Sequence, residues 1–202
     1  MYVIIPVAHE PNNLSLPHVI ASIRKHTDYT PVTVGHDHGL CDHIPTVQLP
    51  GRANAFKNTA NAMRTAIHEL GEPFIWCDDD TYWLRPAQPT RWAIGTLDND
   101  HGPTIYQQRK HTTWQTLRAL GLPTYDYESH TPLPVNDLDA MNLALNLTGT
   151  MRSLYGNLTG QPNVIAPDVK MRRKDDPLPA AAWASTHGDP NRYPHLIEAL
   201  TR

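Results

Sequence analysis

Phe74-Ile75-Trp76-Cys77-Asp78-Asp79-Asp80 sets a short apolar run directly against three carboxylates. The apolar part has the length and bulk of a buried strand. Three adjacent acids repel one another, an arrangement that is costly unless a cation or hydrogen-bond donors offset it. Side chains in an extended segment alternate, so the sequence places Asp78 and Asp80 on one side and Asp79 on the other. Two hard oxygen ligands with open positions suit Mg²⁺ or Mn²⁺ bridging a diphosphate. The competing reading is a surface turn whose aspartates cap a helix. Thr81-Tyr82-Trp83-Leu84 argues against it, because it reads as a continuation of the strand.

Upstream of this run the pattern alternates. Tyr2–Val7 reads as a buried first strand, Leu16–His26 as a helix, Pro31–Gly35 as a second strand and Thr46–Leu49 as a short third one. Asn54–Leu70 is the clearest helix: Phe56, Ala60, Met63, Ile67 and Leu70 share a face, and Gly71 is its stop. Strands alternating with helices indicate an α/β fold, a mostly parallel sheet flanked by helices. Ligands of such sheets bind beyond the carboxyl ends of the strands, which here are the loops after Val7, Val34 and Cys77. Downstream, Thr104–Gln107 reads as a strand and Thr112–Leu120, Asp137–Leu147 and Pro194–Leu200 as helices. A break near Pro86–Pro89 separates a nucleotide-binding half (residues 1–86) from an acceptor-side half (87–202) of one domain.

The chain has 202 residues, 40% hydrophobic and 18% charged, with net charge −3. That composition fits a globular domain and provides no global basic field for non-specific nucleic-acid binding. Cys41 and Cys77, the two cysteines, form no disulfide framework. The N-terminus has no signal-peptide pattern, and no apolar run is long enough to span a membrane. A cytoplasmic protein is the expectation, and the sequons at Asn13, Asn146 and Asn157 are then coincidental.

Ile75-Trp76-Cys77-Asp78-Asp79-Asp80-Thr81-Tyr82-Trp83-Leu84-Arg85-Pro86 resembles the Asp-x-Asp segment of GT-A glycosyltransferases. A more specific likeness is to small phage-encoded glycosyltransferases related to the Stealth sugar-phosphate transferases. His130-Thr131-Pro132 matches their His-x-Pro motif, and Trp183-Ala184-Ser185-Thr186 their late strand with a Ser-Thr pair. The resemblance implies a GT-A-like (Rossmann-like) fold, a nucleoside-diphosphate sugar such as a UDP-sugar, Mn²⁺ or Mg²⁺, and a hydroxyl acceptor. In phage the host cytoplasm is the implied setting, and a hydroxymethylated pyrimidine in DNA is one candidate acceptor.

On this reading Asp78 and Asp80, with His187 as a further ligand, hold the metal. Asp78 also contacts the donor, beside Pro6, Val7, Ala8 and His9 at the end of the first strand. Asp37 after the second strand is a candidate for a base or ribose hydrogen bond. Arg52, Lys57 and Asn61, with Asn54 and Asn58, lead into the long helix and face the donor. His130, in a loop, is the candidate general base. Asp79 and Asp137 are further catalytic candidates, with Asp139 as an alternative and helix capping as the other role for Asp137. Lys170 begins a basic run to Lys174 that suits a diphosphate or an acidic acceptor. His36-Asp37-His38 has zinc-ligand types but no nearby third ligand. Two alternatives stay open: sugar-1-phosphate or nucleotidyl transfer by the same aspartates, and a non-catalytic carbohydrate- or metal-binding module.

Overall fold

Val3, Ile4, Ile5 and Val7 are all at most 1% exposed, so strand β1 (Tyr2–Val7) is buried on both faces. A strand of that kind needs neighbours on both edges and layers on both sides, and it has them. It pairs in parallel with β2 (Thr30–Gly35) and with β4 (Phe74–Trp76). Beyond β2 lies parallel β3 (Asp42–Pro45), and beyond β4 lies antiparallel β7 (Leu133–Val135). The sheet order is therefore β3-β2-β1-β4-β7, mixed but mostly parallel. The computed structural model describes residues 1–7, 13–98, 102–187 and 189–202, without the Arg52 side chain.

Alternation along β1 sorts its residues between two cores. Val3, Ile5 and Val7 join one with Leu16, Val19 and Ile23 of helix α1 (Leu16–His26). On the other face Ile4 joins Met63 and Ala66 of α2 (Ala55–Leu70). Met141 of α4 (Leu138–Asn146) and Leu154 of α5 (Met151–Leu158) complete that second core. α2 stops at Gly71, whose φ of +63° is left-handed and open to glycine without strain. α3 (Ile105–Ala119) and α6 (Pro194–Thr201) complete the helices. Two small ladders flank the sheet: β5 (Thr81–Trp83) with β9 (Trp183–Ser185), antiparallel, and β6 (Trp92–Ala93) with β8 (Val164–Ile165), parallel. Because β7 comes from the second half of the chain and joins the first half's sheet, the two halves share their cores.

Three expectations change. Thr46–Leu49 is loop and the strand is β3, just before it; Val47 is 77% exposed and has no core to face. Thr104–Gln107 is not a strand, because Thr104 and Gln107 form a reciprocal capping box that starts α3 several residues before Thr112. Thr81–Leu84 does not continue β4: the chain turns at the aspartates, with Thr81 N donating to Asp78 O at 3.2 Å, and enters the separate β5–β9 ladder.

Helix α5 approaches the Tyr127 ring closely at Gly156, which the absence of a side chain there makes feasible. A Cβ at Gly156 would sit 2.4 Å from Tyr127 Cδ2. Gly156→Ala should therefore cost about 1–3 kcal/mol of overpacking, despite alanine's better helix propensity. Urea unfolding checks this; a stabilised variant would mean that α5 and Tyr127 can separate freely.

Candidate active site

β1 and β4 run side by side only as far as Ile4 and Trp76. Past that point β4 gives way to Asp78-Asp79-Asp80, and Pro6 faces the divergence, where a missing N–H breaks no rung of that pairing. The opening is a pocket of about 270 Å³ lined by Pro6, Thr59, all three aspartates, His130 and Lys170. It lies at the carboxyl ends of the parallel strands, as the sequence order predicts.

Each aspartate has its own partner. Asp78 Oδ2 accepts from Arg152 Nη1 at 3.0 Å, and Arg152 also donates to the Thr131 carbonyl and lies over the Trp76 ring. Asp79 Oδ2 accepts from Asn13 Nδ2 at 2.7 Å. Asp80 accepts from Lys170 Nζ at 2.5 Å and Ser185 Oγ at 2.9 Å. The side chains of Arg152 and Lys170 are each 5% exposed. Burial, and then the charge of Asp80, push the Asp79 carboxyl up to about 7. Arg152 and Lys170 thus offset Asp78 and Asp80, while Asp79, bonded only to a neutral amide among the described residues, is held toward its neutral form.

No group of three metal-capable side chains forms a ready cage among the described residues. Mg²⁺ and Mn²⁺ seldom need one; a pair of carboxylates plus substrate phosphates and water is their usual shell. Asp78 and Asp80 line one pocket and fit that role, on condition that the cation competes with Arg152 and Lys170. The expected alternation does not hold, because the triplet lies in a turn and Asp79 lines the same pocket as its neighbours. His187 is exposed, and follows Thr186, whose backbone N donates to Asp80 O at 3.1 Å. Burial and the positive charge of Lys170 lower its pKa, so it is held toward the neutral form that a metal ligand needs.

His130 lines this pocket with a backbone φ of +51°, a region that residues other than glycine seldom adopt. Its Nδ1 lies 3.0 and 3.2 Å from the two oxygens of Asp168. Burial raises the Asp168 carboxyl, but the hydrogen bond and charge of His130 and the Lys170 backbone N–H outweigh it, so the group sits below the usual carboxylate range. An ionised Asp168 only accepts. Nδ1 must therefore carry the proton, leaving Nε2 as the basic nitrogen.

The other predicted residues divide. Val7 is buried in the core, and its carbonyl accepts from His36 N and Gln48 Nε2. Asp37 is exposed and caps a turn by accepting from Gly39 N at 2.7 Å. On α2 it is Thr59 that reaches the pocket, while Lys57 is exposed and Asn61 is partly buried. Asn58 and Asn54 hold the preceding loop through the backbone of Leu49 and of Pro50. Asp137 takes its capping role: it accepts from Ala140 N at 2.9 Å and lines a different pocket, with Arg91 and Tyr155. Asp139, in the first turn of α4, is exposed. Ala8, His9 and the Arg52 side chain lie outside the described residues.

The basic run is not a free patch. Lys170 faces Asp80, and Arg172 pairs with Asp168 at 3.0 Å, leaving Arg173 and Lys174 at the surface. Arg152, Asp168 and Glu128 were missed in the sequence reading. Asp168, Lys170 and Arg172 recur at a spacing of two, which in an extended segment puts them on one side; that signal was available. Arg152 carried none. No helix of the described residues is long and apolar enough to cross a membrane. No family model matches this chain, and no curated protein matches it as a relative.

Proposed function

We propose that this pocket transfers a sugar from a nucleoside diphosphate, a UDP-sugar first, to a hydroxyl acceptor, with Mn²⁺ or Mg²⁺ held by Asp78 and Asp80. The supporting observation is the convergence of three carboxylates and His130, itself paired with Asp168, on one pocket at the strand ends. Asp78 and Asp80 would hold the cation, whose charge would offset the repulsion between these carboxylates and an incoming diphosphate. When bound, the cation offsets charge that develops on the departing diphosphate.

The chain's own residues supply the rest. His130 Nε2 takes the proton of the acceptor hydroxyl. The hydroxyl oxygen bonds to the anomeric carbon, and the bond from that carbon to the diphosphate breaks. Lys170 and Arg152, displaced from Asp80 and Asp78, are placed to donate to phosphate oxygens. Asp168 holds the imidazole in the basic tautomer.

Asp168→Asn should lower turnover on the order of 10²-fold with little change in donor affinity, since an amide no longer enforces Nδ1–H. Steady-state kinetics reads both parameters; unchanged turnover would remove His130 as the base. Product analysis with Mn²⁺ and a UDP-sugar tests the reaction class. Release of the nucleoside diphosphate supports glycosyl transfer. Release of the monophosphate would show sugar-phosphate transfer instead.

A further inference from the structure

A second cavity adjoins the first and shares Thr59, Asp78 and His130 with it. Its volume is about 140 Å³, close to the ~150 Å³ cavity that accepts one benzene. One six-membered ring fits that space and a nucleotide does not. Phe56 and Trp76 supply aromatic surface, while Glu128 and Arg152 supply charged groups. Trp76 is 3% exposed and Arg152 4%. Trp76 Nε1 and Arg152 Nε are buried donors with no hydrogen-bond partner among the described residues. Buried donors are nearly always satisfied in a finished structure, so two beside one cavity point to a ligand rich in acceptors. Glu128 offers the complementary acceptor, engaged by Ser153 Oγ only at 3.4 Å.

We propose that this cavity holds one pyranose ring, whose apolar face lies on the aromatic side chains and whose hydroxyls accept from Trp76 and Arg152 and donate to Glu128. The shared wall then puts the ring's edge beside His130 and the triplet, where transfer would occur. The inference rests on the sugar-transfer reading for that placement, but not for the ring itself. The ring can come from the donor or from a saccharide acceptor.

Calorimetry on the full chain separates these sources. The probes are UDP, UDP-glucose, UDP-galactose and UDP-N-acetylglucosamine with Mn²⁺, and the methyl glycosides of the same hexoses alone. Glu128→Gln keeps the shape of the side chain, and Phe56→Leu removes one aromatic face at the cavity. Glu128→Gln should weaken the hexose contribution about tenfold, leaving UDP affinity within about twofold. If the loss appears in the gain of a UDP-hexose over UDP, the ring belongs to the donor; if it appears in a free glycoside, to the acceptor. Glycoside binding without any UDP binding would sustain the cavity assignment and sink the nucleotide reading. UDP binding with no added affinity for any hexose in either form would do the reverse. Hexose affinity unchanged in both variants, or no hexose binding at all, overturns the proposal.

Discussion

Asp80→Asn should, on the sugar-transfer proposal, lower transfer about 10³-fold and leave the protein folded. A cation held by Asp78 and Asp80 would stabilise the transition state by several kcal/mol, and about 4 kcal/mol corresponds to that factor. Asparagine keeps the acceptor oxygen for Ser185 Oγ but would bring no charge to a bound cation. The folding cost stays below the ~3–5 kcal/mol of an orphaned buried ion, because Lys170 retains a second carboxylate nearby. The charge of Asp80 is one reason the Asp79 carboxyl titrates as high as about 7. With Asp80 neutral, Asp79 ionises more fully and takes over as counterion. Kinetics and thermal unfolding, measured together, check this. A variant that unfolds like a core truncation would show the triplet to be structural.

Lys110→Met should cost about 3–5 kcal/mol of stability, a large share of an ordinary domain's 5–15 kcal/mol. Lys110 Nζ lies 2.6 Å from Asp126 Oδ2, with side chains 8% and 5% exposed. Removing the ammonium leaves a buried carboxylate without its cation. Asp126 also accepts from Glu128 N at 3.0 Å, so the loss reaches the segment that carries Glu128 and His130. The double variant Lys110→Met/Asp126→Asn should lose less, since no buried charge is left uncompensated. Urea unfolding of both variants measures the difference. A loss under about 1 kcal/mol for the single change would mean that Asp126 is neutralised elsewhere.

What the sequence disclosed follows from how local each determinant is. β1, α1 and α2 were legible because their apolar periods are carried by contiguous residues, and Gly71 marks its stop by conformation alone. Helix α5 was overlooked although Met151, Leu154, Tyr155 and Leu158 follow helical spacing and face the second core; the stripe is only eight residues long and is interleaved with Arg152, Ser153, Gly156 and Asn157, which are buried too. The triplet and His130 were visible as unusual residues in context. Their partners Arg152 and Asp168 were not, because pairing across 74 and 38 residues depends on how the strands converge. The alternation placed on Asp78–Asp80 failed because a turn, signalled by nothing apolar, intervenes before β5.

The most direct test of the sugar-transfer account is thermal unfolding of the full chain with UDP, GDP, ADP, CDP and TDP, each with Mn²⁺ and with a chelator. One nucleotide should raise the midpoint only when Mn²⁺ is present. At ~100 times its dissociation constant the stabilisation is about 2.7 kcal/mol, or roughly 5–11 °C for a domain of this size. Asp80→Asn should abolish the shift. No shift with any nucleotide, or a shift that survives both the chelator and Asp80→Asn, would contradict the account.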